Sequence, residues 1–138
     1  MARSRKARVQ DVHDIALAMP HTVNCHTEER PIYQVGAKSF IFFRSERPDA
    51  VDADTGERIK DVIVFWVPDE QDKFALVQDP DLPFFTTPHF DGHRSVLVRA
   101  ARLGELTRSQ LAEVVEDAWL SQASKRRADQ WLASRADR

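Results

Sequence analysis

The residues best suited to chemistry in this chain are cationic. Lys125, Arg126 and Arg127 stand in a row, and Arg3, Arg5, Lys6 and Arg8 punctuate the first ten residues with no acid among them. Lys38 follows Gly36-Ala37 in what reads as a tight turn. Ammonium and guanidinium groups so clustered suit phosphate oxygens, which position a nucleic-acid ligand, or an acidic partner. Each group also has a plainer reading. Lys38 would keep a hairpin soluble. Lys125, Arg126 and Arg127 would offset the dipole at the end of a long C-terminal helix. The N-terminal bases would form a solubilising tail.

Other chemistries find less material. His21, Cys25 and His26 share one stretch, and His89 and His93 another, so zinc comes to mind. There is no Cys-x-x-Cys or His-Glu-x-x-His string, and we expect no metal site. Asp52, Asp54 and Gly56 lack the ligand order and closing Glu of a calcium loop. Cys25 beside His26 is a poor dyad, because sequence neighbours rarely align as nucleophile and base. The four glycines, at 36, 56, 92 and 104, are too scattered for a phosphate cradle. No carboxylate pair stands out. We therefore expect no catalysis and no cofactor. The aromatics Phe40, Phe42, Phe43, Phe65, Trp66, Phe84, Phe85 and Trp119 could stack bases on an open sheet face. Core packing fits them better, since they fall in apolar strands and one helical stripe.

The elements that must carry these residues follow from pattern. At 138 residues and 42% hydrophobic, the chain is long enough and apolar enough for one packed domain. We expect residues 1–138 to form that domain, with residues 1–8 and about 134–138 flexible. No apolar run approaches the roughly 20 residues of a membrane span. The basic start lacks a continuous apolar stretch. Cys25 alone cannot form an intramolecular disulfide, so a cytoplasmic protein is expected. The net charge of −2 hides asymmetry. Residues 46–72 hold nine acids against three bases, while both ends are basic.

Residues 8–19 read as a helix, with Val9, Val12, Ile15 or Ala16, and Met19 at helical spacing and Pro20 as a stop. Residues 21–31 read as a polar loop. Ile32–Val35 and Ser39–Arg44 read as strands around a short turn, and Phe40 to Phe43 suggest a strand buried on both faces. Residues 45–60 form an acidic loop. Asp61–Val67 is the strongest strand. Pro68-Asp69 opens a short helix with Phe74, Leu76 and Val77 as its apolar face. Phe84–Thr87 reads as a short edge strand and Ser95–Ala100 as the last strand. Thr107 and Gln110 fit a capping box. Leu111, Val114, Val115, Ala118 and Trp119 then make a stripe, with a continuation through Lys125 to Ala133, straight or after a bend, in which Trp131 and Leu132 would be an anchor. Strands on short links favour an antiparallel sheet backed by helices, an α+β fold.

Several strings resemble the MmcQ/YjbR family of small bacterial proteins. Ala16-Leu17-Ala18-Met19-Pro20 looks like the end of its first helix. Val35-Gly36-Ala37-Lys38-Ser39-Phe40 looks like its hairpin. Phe84-Phe85 through Pro88-His89-Phe90-Asp91-Gly92 looks like its approach to the last strand. Ala118-Trp119-Leu120 and Ala123-Ser124-Lys125-Arg126 look like its C-terminal motif. The resemblance covers about residues 9–127. Two departures stand out: Arg94-Ser95 replaces an aromatic opening of the last strand, and Ser124 replaces a proline.

The resemblance implies a single α+β domain. Its antiparallel sheet of about five strands would pack with an N-terminal helix and a long C-terminal helix, similar to frataxin-like and secretion-chaperone-like arrangements. Family members are commonly described as DNA-binding on a double-wing analogy. DNA binding would place hairpin wings at Gly36–Lys38, and at the loops 45–60 or 91–94, against the duplex. Lys38, Lys125, Arg126, Arg127, Arg5, Lys6 and Arg8 would then meet phosphates. The acidity of the 45–60 loop counts against its use as a wing. The alternative is a non-catalytic protein- or small-ligand-binding module on the same fold. Its site would be the sheet face or the groove beside the long helix.

Overall fold

The computed structural model describes residues 5–44, 55–56, 61–87, 90 and 92–136. Helix α1 (Val9–Ala18) buries Val12, Ile15 and Ala16 on one side. Five strands follow in chain order: β1 (Thr22–Asn24), β2 (Ile32–Val35), β3 (Lys38–Arg44), β4 (Val62–Trp66) and β5 (Ser95–Arg99). They form one antiparallel sheet in that same order. Gly36 and Ala37 join β2 to β3 with φ of +56° and +65°. Two left-handed residues make a two-residue hairpin whose twist matches the strands.

Strand β1 corrects the polar-loop expectation for residues 21–31. Three residues, one of them an exposed valine, carry no readable alternation. Backbone pairing with β2 supplies the order instead. Asn24 closes the following turn, its Oδ1 accepting from His26 N at 2.9 Å and Ile32 N at 3.1 Å. Phe84–Thr87 is likewise not a strand. It reduces to one bridge, in which Phe85 and Leu97 exchange both backbone hydrogen bonds at 2.8 Å. Pro83 has no N–H to extend the ladder. The acidic 45–60 loop lies almost wholly outside the described residues, as do Arg3, Pro88, His89 and Asp91.

Strand β3 is buried on both faces, as its apolar run suggests. The β2–β3 register slips between Tyr33 and Gln34, leaving Phe40 as the extra residue of a bulge. Phe40 and Ile41 both enter the main core, with Tyr33, Val35, Ile63, Phe65, Val96 and Val98. Phe42 instead joins Val62, Val64, Leu97 and Phe90 on the other side.

Helix α2 (Glu70–Gln78) starts where Asp69 caps it, its carboxylate accepting from Asp72 N at 2.9 Å. Leu76 and Val77 pack against the core as expected, but Phe74 does not. Phe74 is 65% exposed, while Lys73 is only 8% exposed. The Lys73 ammonium donates to the carbonyls of Phe90 and His93, both at 2.7 Å. A long side chain can bury its methylenes and still satisfy its charged tip, which apolar periodicity cannot reveal.

A 3-10 helix (Ala100–Glu105), absent from the sequence reading, leads into α3 (Arg108–Gln122). The capping box forms as expected: Thr107 Oγ1 accepts from Gln110 N at 3.1 Å, and Gln110 Oε1 accepts from Thr107 N at 2.9 Å. Such a cap stabilises by about 1 kcal/mol. Helix α3 lies over β3 and β4 beside α1, burying Leu111, Val115, Ala118 and Trp119. The bend allowed before Lys125 is a full break, so the C-terminal stretch is two helices. The chain is extended at Ala123, and α4 (Lys125–Ala136) begins anew after Ser124.

The N-terminal segment also departs from expectation. Residues 5–8 are tied down rather than loose. Ala7 N donates to Leu106 O at 2.9 Å, and Arg108 N donates to Arg5 O at 2.8 Å, so Lys6 bridges Thr107. Arg5 grips the buried Asp11 carboxylate through two bonds of 2.7 and 2.6 Å.

Candidate functional site

The break after Ala123 reverses the electrostatics of the basic cluster. Lys125, Arg126 and Arg127 occupy the first turn of α4, which holds no acid. Ser124 caps that turn: its Oγ accepts from Arg127 N at 3.2 Å, and its carbonyl accepts from Ala128 N at 2.9 Å. A helix N-terminus carries partial positive charge, so cations there gain nothing from the dipole and repel it. The macrodipole explanation of this cluster therefore fails. Ser124 replaces the expected proline with another residue suited to starting a helix.

Packing returns α4 towards the sheet. The Trp131 ring lies 5.8 Å from that of Trp119, and Trp119 Nε1 donates to Pro20 O at 3.0 Å. Arg135 pairs with Glu116 at 2.9 Å. The start of α4 thereby meets the β2–β3 turn. Arg127 Nη1 lies 2.8 Å from the place a Cβ on Gly36 would occupy. Together His21, Gly36, Ser124, Arg126, Arg127 and Gln130 line an open pocket of about 530 Å³. His21 sits in a left-handed conformation at φ +60°. Lys38 follows the same turn and is exposed. Lys125 pairs with Asp129 at 2.7 Å, a fully exposed i,i+4 contact that water screens heavily. No ion pair to Arg126 or Arg127 occurs among the described residues.

This site predicts the behaviour of one variant. Gly36→Ala places a Cβ at positive φ and displaces the Arg127 guanidinium. We expect a loss of about 1 kcal/mol in urea unfolding. A neutral result would show that the turn does not require glycine.

The other expected cations divide differently. Arg5 is committed to Asp11, whose carboxyl it holds well below the usual range, at about 2. The Arg8 backbone N–H also donates to Asp11, at 2.8 Å. Lys6 and Arg8 are exposed side chains on this anchored segment, not on a free arm. Of the expected cations, only Arg126 and Arg127 line this pocket, while Lys38 and Lys125 stand outside its lining. Gly36 belongs to the expected wing, whereas His21, Ser124 and Gln130 were not among the expected binding residues. Among these, only the quoted hairpin and C-terminal strings carried a signal.

Elsewhere the surface has the opposite sign. Asp72, Glu113 and Asp117 border a cleft of about 180 Å³ between α2 and α3. Burial, with Asp72 and Glu116 nearby, pushes the Asp117 carboxyl up. That side repels polyanions. Among the described residues no three His, Cys, Asp or Glu side chains are placed to hold a metal. Cys25 is exposed, and His26 Nδ1 lies 3.0 Å from Arg30 O. No helix among the described residues is long and apolar enough to cross a membrane.

Comparison with known proteins decides the family. The sequence profile of the YjbR family matches residues 17–121, most of the chain. This chain belongs to the YjbR family. The YjbR match includes His21 and Gly36 of the pocket and ends before Ser124, Arg126, Arg127 and Gln130. An uncharacterized protein of Mycobacterium bovis is 38% identical over 106 residues, covering 77% of this chain and 72% of the relative. An uncharacterized protein of Mycobacterium tuberculosis matches equally. A crystal structure of a protein from Pseudomonas syringae superposes with a TM-score of 0.62. It shares 15% identity and covers 84% of this chain and 99% of that one, which shows the shared α+β fold.

Proposed function

We propose that this YjbR protein is a non-catalytic DNA-binding protein that grips backbone phosphates between the β2–β3 turn and the start of α4. One observation carries the reading. Lys125, Arg126 and Arg127 crowd a helix N-terminus where their charges oppose the dipole, beside an open pocket at a hairpin turn. A phosphate relieves that repulsion, because helix N-termini and guanidinium groups both favour anions. Lys38 extends the same cationic edge along the hairpin, as a wing would. Arg5 stands outside the interface because Asp11 already neutralises it. Lys6 and Arg8 lie on the anchored segment and contribute at most general attraction.

Fluorescence anisotropy of a labelled random duplex at two salt concentrations tests this. Binding should weaken steeply with salt, since each phosphate contact releases counterions. Lys125→Ala/Arg126→Ala/Arg127→Ala should weaken affinity by about tenfold or more at low salt and reduce the salt slope by about 2 to 3. No binding at roughly tens of micromolar protein in low salt, or binding indifferent to the triple variant, overturns the proposal.

A further inference from the structure

The pocket between the β2–β3 turn and the start of α4 carries donors that nothing else in the described chain uses. The Arg126 and Arg127 guanidinium groups, the His21 ring and the Gln130 amide all line it. None of these four side chains makes a hydrogen bond or an ion pair among the described residues. Arg127 is half-buried, so its unpaired charge is partly withdrawn from water. Ser124 adds a fifth donor: its Oγ accepts from Arg127 N, which leaves its own O–H proton for a ligand. Among the described residues no carboxylate lines this pocket. The remaining lining residue is Gly36, whose missing side chain gives the Arg127 guanidinium its place.

The number and placing of the donors bear on which phosphate enters. A phosphodiester within a strand has two free oxygens and a single negative charge. A terminal phosphate has three free oxygens and carries about 1.5 to 2 negative charges at pH 7. Three oxygens can reach guanidinium, imidazole and hydroxyl donors on different walls, and the larger charge suits two unpaired arginines. Shape points the same way. A phosphate in mid-strand has a sugar on either side and sits on a convex ridge, whereas a strand end can enter a concave pocket phosphate first. A volume of about 530 Å³ has room for a phosphate and the nucleoside that bears it. We propose that this pocket takes the terminal phosphate of a nucleic-acid strand, so that the protein prefers phosphorylated ends. This inference rests on the DNA-binding reading above. Lys38 and Lys125, both exposed and outside the pocket lining, are left for the backbone phosphates that follow.

Three internally labelled duplexes of one sequence test this, with hydroxyl ends, with 5′-phosphates and with 3′-phosphates. At least one phosphorylated duplex should bind about tenfold more tightly than the hydroxyl-ended one. Arg126→Gln/Arg127→Gln should erase that preference, while Lys38 and Lys125 still give weak, salt-sensitive binding to all three. An amide NMR spectrum like that of the wild type shows that the variant is folded. Equal wild-type affinity for the three duplexes overturns the end preference and leaves the DNA-binding reading standing. A preference that survives in the folded double variant also overturns it, because the phosphate would then be held elsewhere. Absence of binding to every duplex overturns both readings. Adenosine 5′-monophosphate bound as tightly as the phosphorylated duplex overturns the proposal too, since the pocket would then need a phosphate monoester and not a nucleic-acid end.

Discussion

Trp119→Ala is expected to cost about 3–5 kcal/mol, the range for deleting a large buried aromatic. Trp119 is fully buried in the main core and joins three elements. It belongs to α3, its indole N–H holds the Pro20 carbonyl just after α1, and its ring receives Trp131 from α4. Removing it leaves a cavity, an unpaired carbonyl and an undocked α4. Domains of this size are stable by about 5–15 kcal/mol in total, so much of the margin would go. Urea unfolding followed by far-ultraviolet circular dichroism measures the loss. Trp119→Phe should be milder, since it keeps most of the ring volume and forfeits the Pro20 bond. A cost below about 1 kcal/mol for the alanine variant would mean that α4 does not depend on this anchor.

Asp11→Ala should rank second, at about 2–3 kcal/mol. Asp11 is 3% exposed, yet its carboxylate accepts two bonds from Arg5 and one from the Arg8 backbone N–H, with Arg108 Nε 3.5 Å away. It thus caps α1 and clasps the N-terminal segment to the start of α3. Its folded pKa of about 2 lies below the ordinary unfolded value of about 3.9. A depressed carboxyl stabilises fully above the unfolded value and loses that contribution as pH falls through 2. Arg5 and Arg108 are each about half exposed, so solvent screening limits the pH-dependent part to about 1–2 kcal/mol. The stability gap between wild type and Asp11→Ala should therefore narrow from about pH 6 to about pH 2. A gap that stays constant would assign the loss to packing rather than to the ion pair.

Much of the fold was legible because its signals are local. The β-branched run at Val62–Trp66, the turn at Gly36-Ala37 and the reciprocal cap of Thr107 and Gln110 each depend on residues a few positions apart. What stayed hidden depends on distant partners. Strand β1 exists because β2 offers an edge. Lys73 is buried because two carbonyls, 17 and 20 residues away, satisfy its ammonium. Arg5 looked like a free cation until Asp11 was found beside it.

The candidate site divides along the same line. The sequence by itself determined which charges are present, the hairpin that carries Lys38 and the cap that starts α3, because composition and short-range backbone chemistry suffice for these. Only the tertiary structure decided that Lys125, Arg126 and Arg127 open a helix rather than close one. It also decided that Arg127 lies over Gly36, 91 residues earlier in the chain. Ser124 is a local signal for a new helix start, but the apolar pattern runs on past it, so the sequence alone leaves a continuous helix open. The packing of Trp131 against Trp119 accompanies that break and brings the two basic stretches to one pocket.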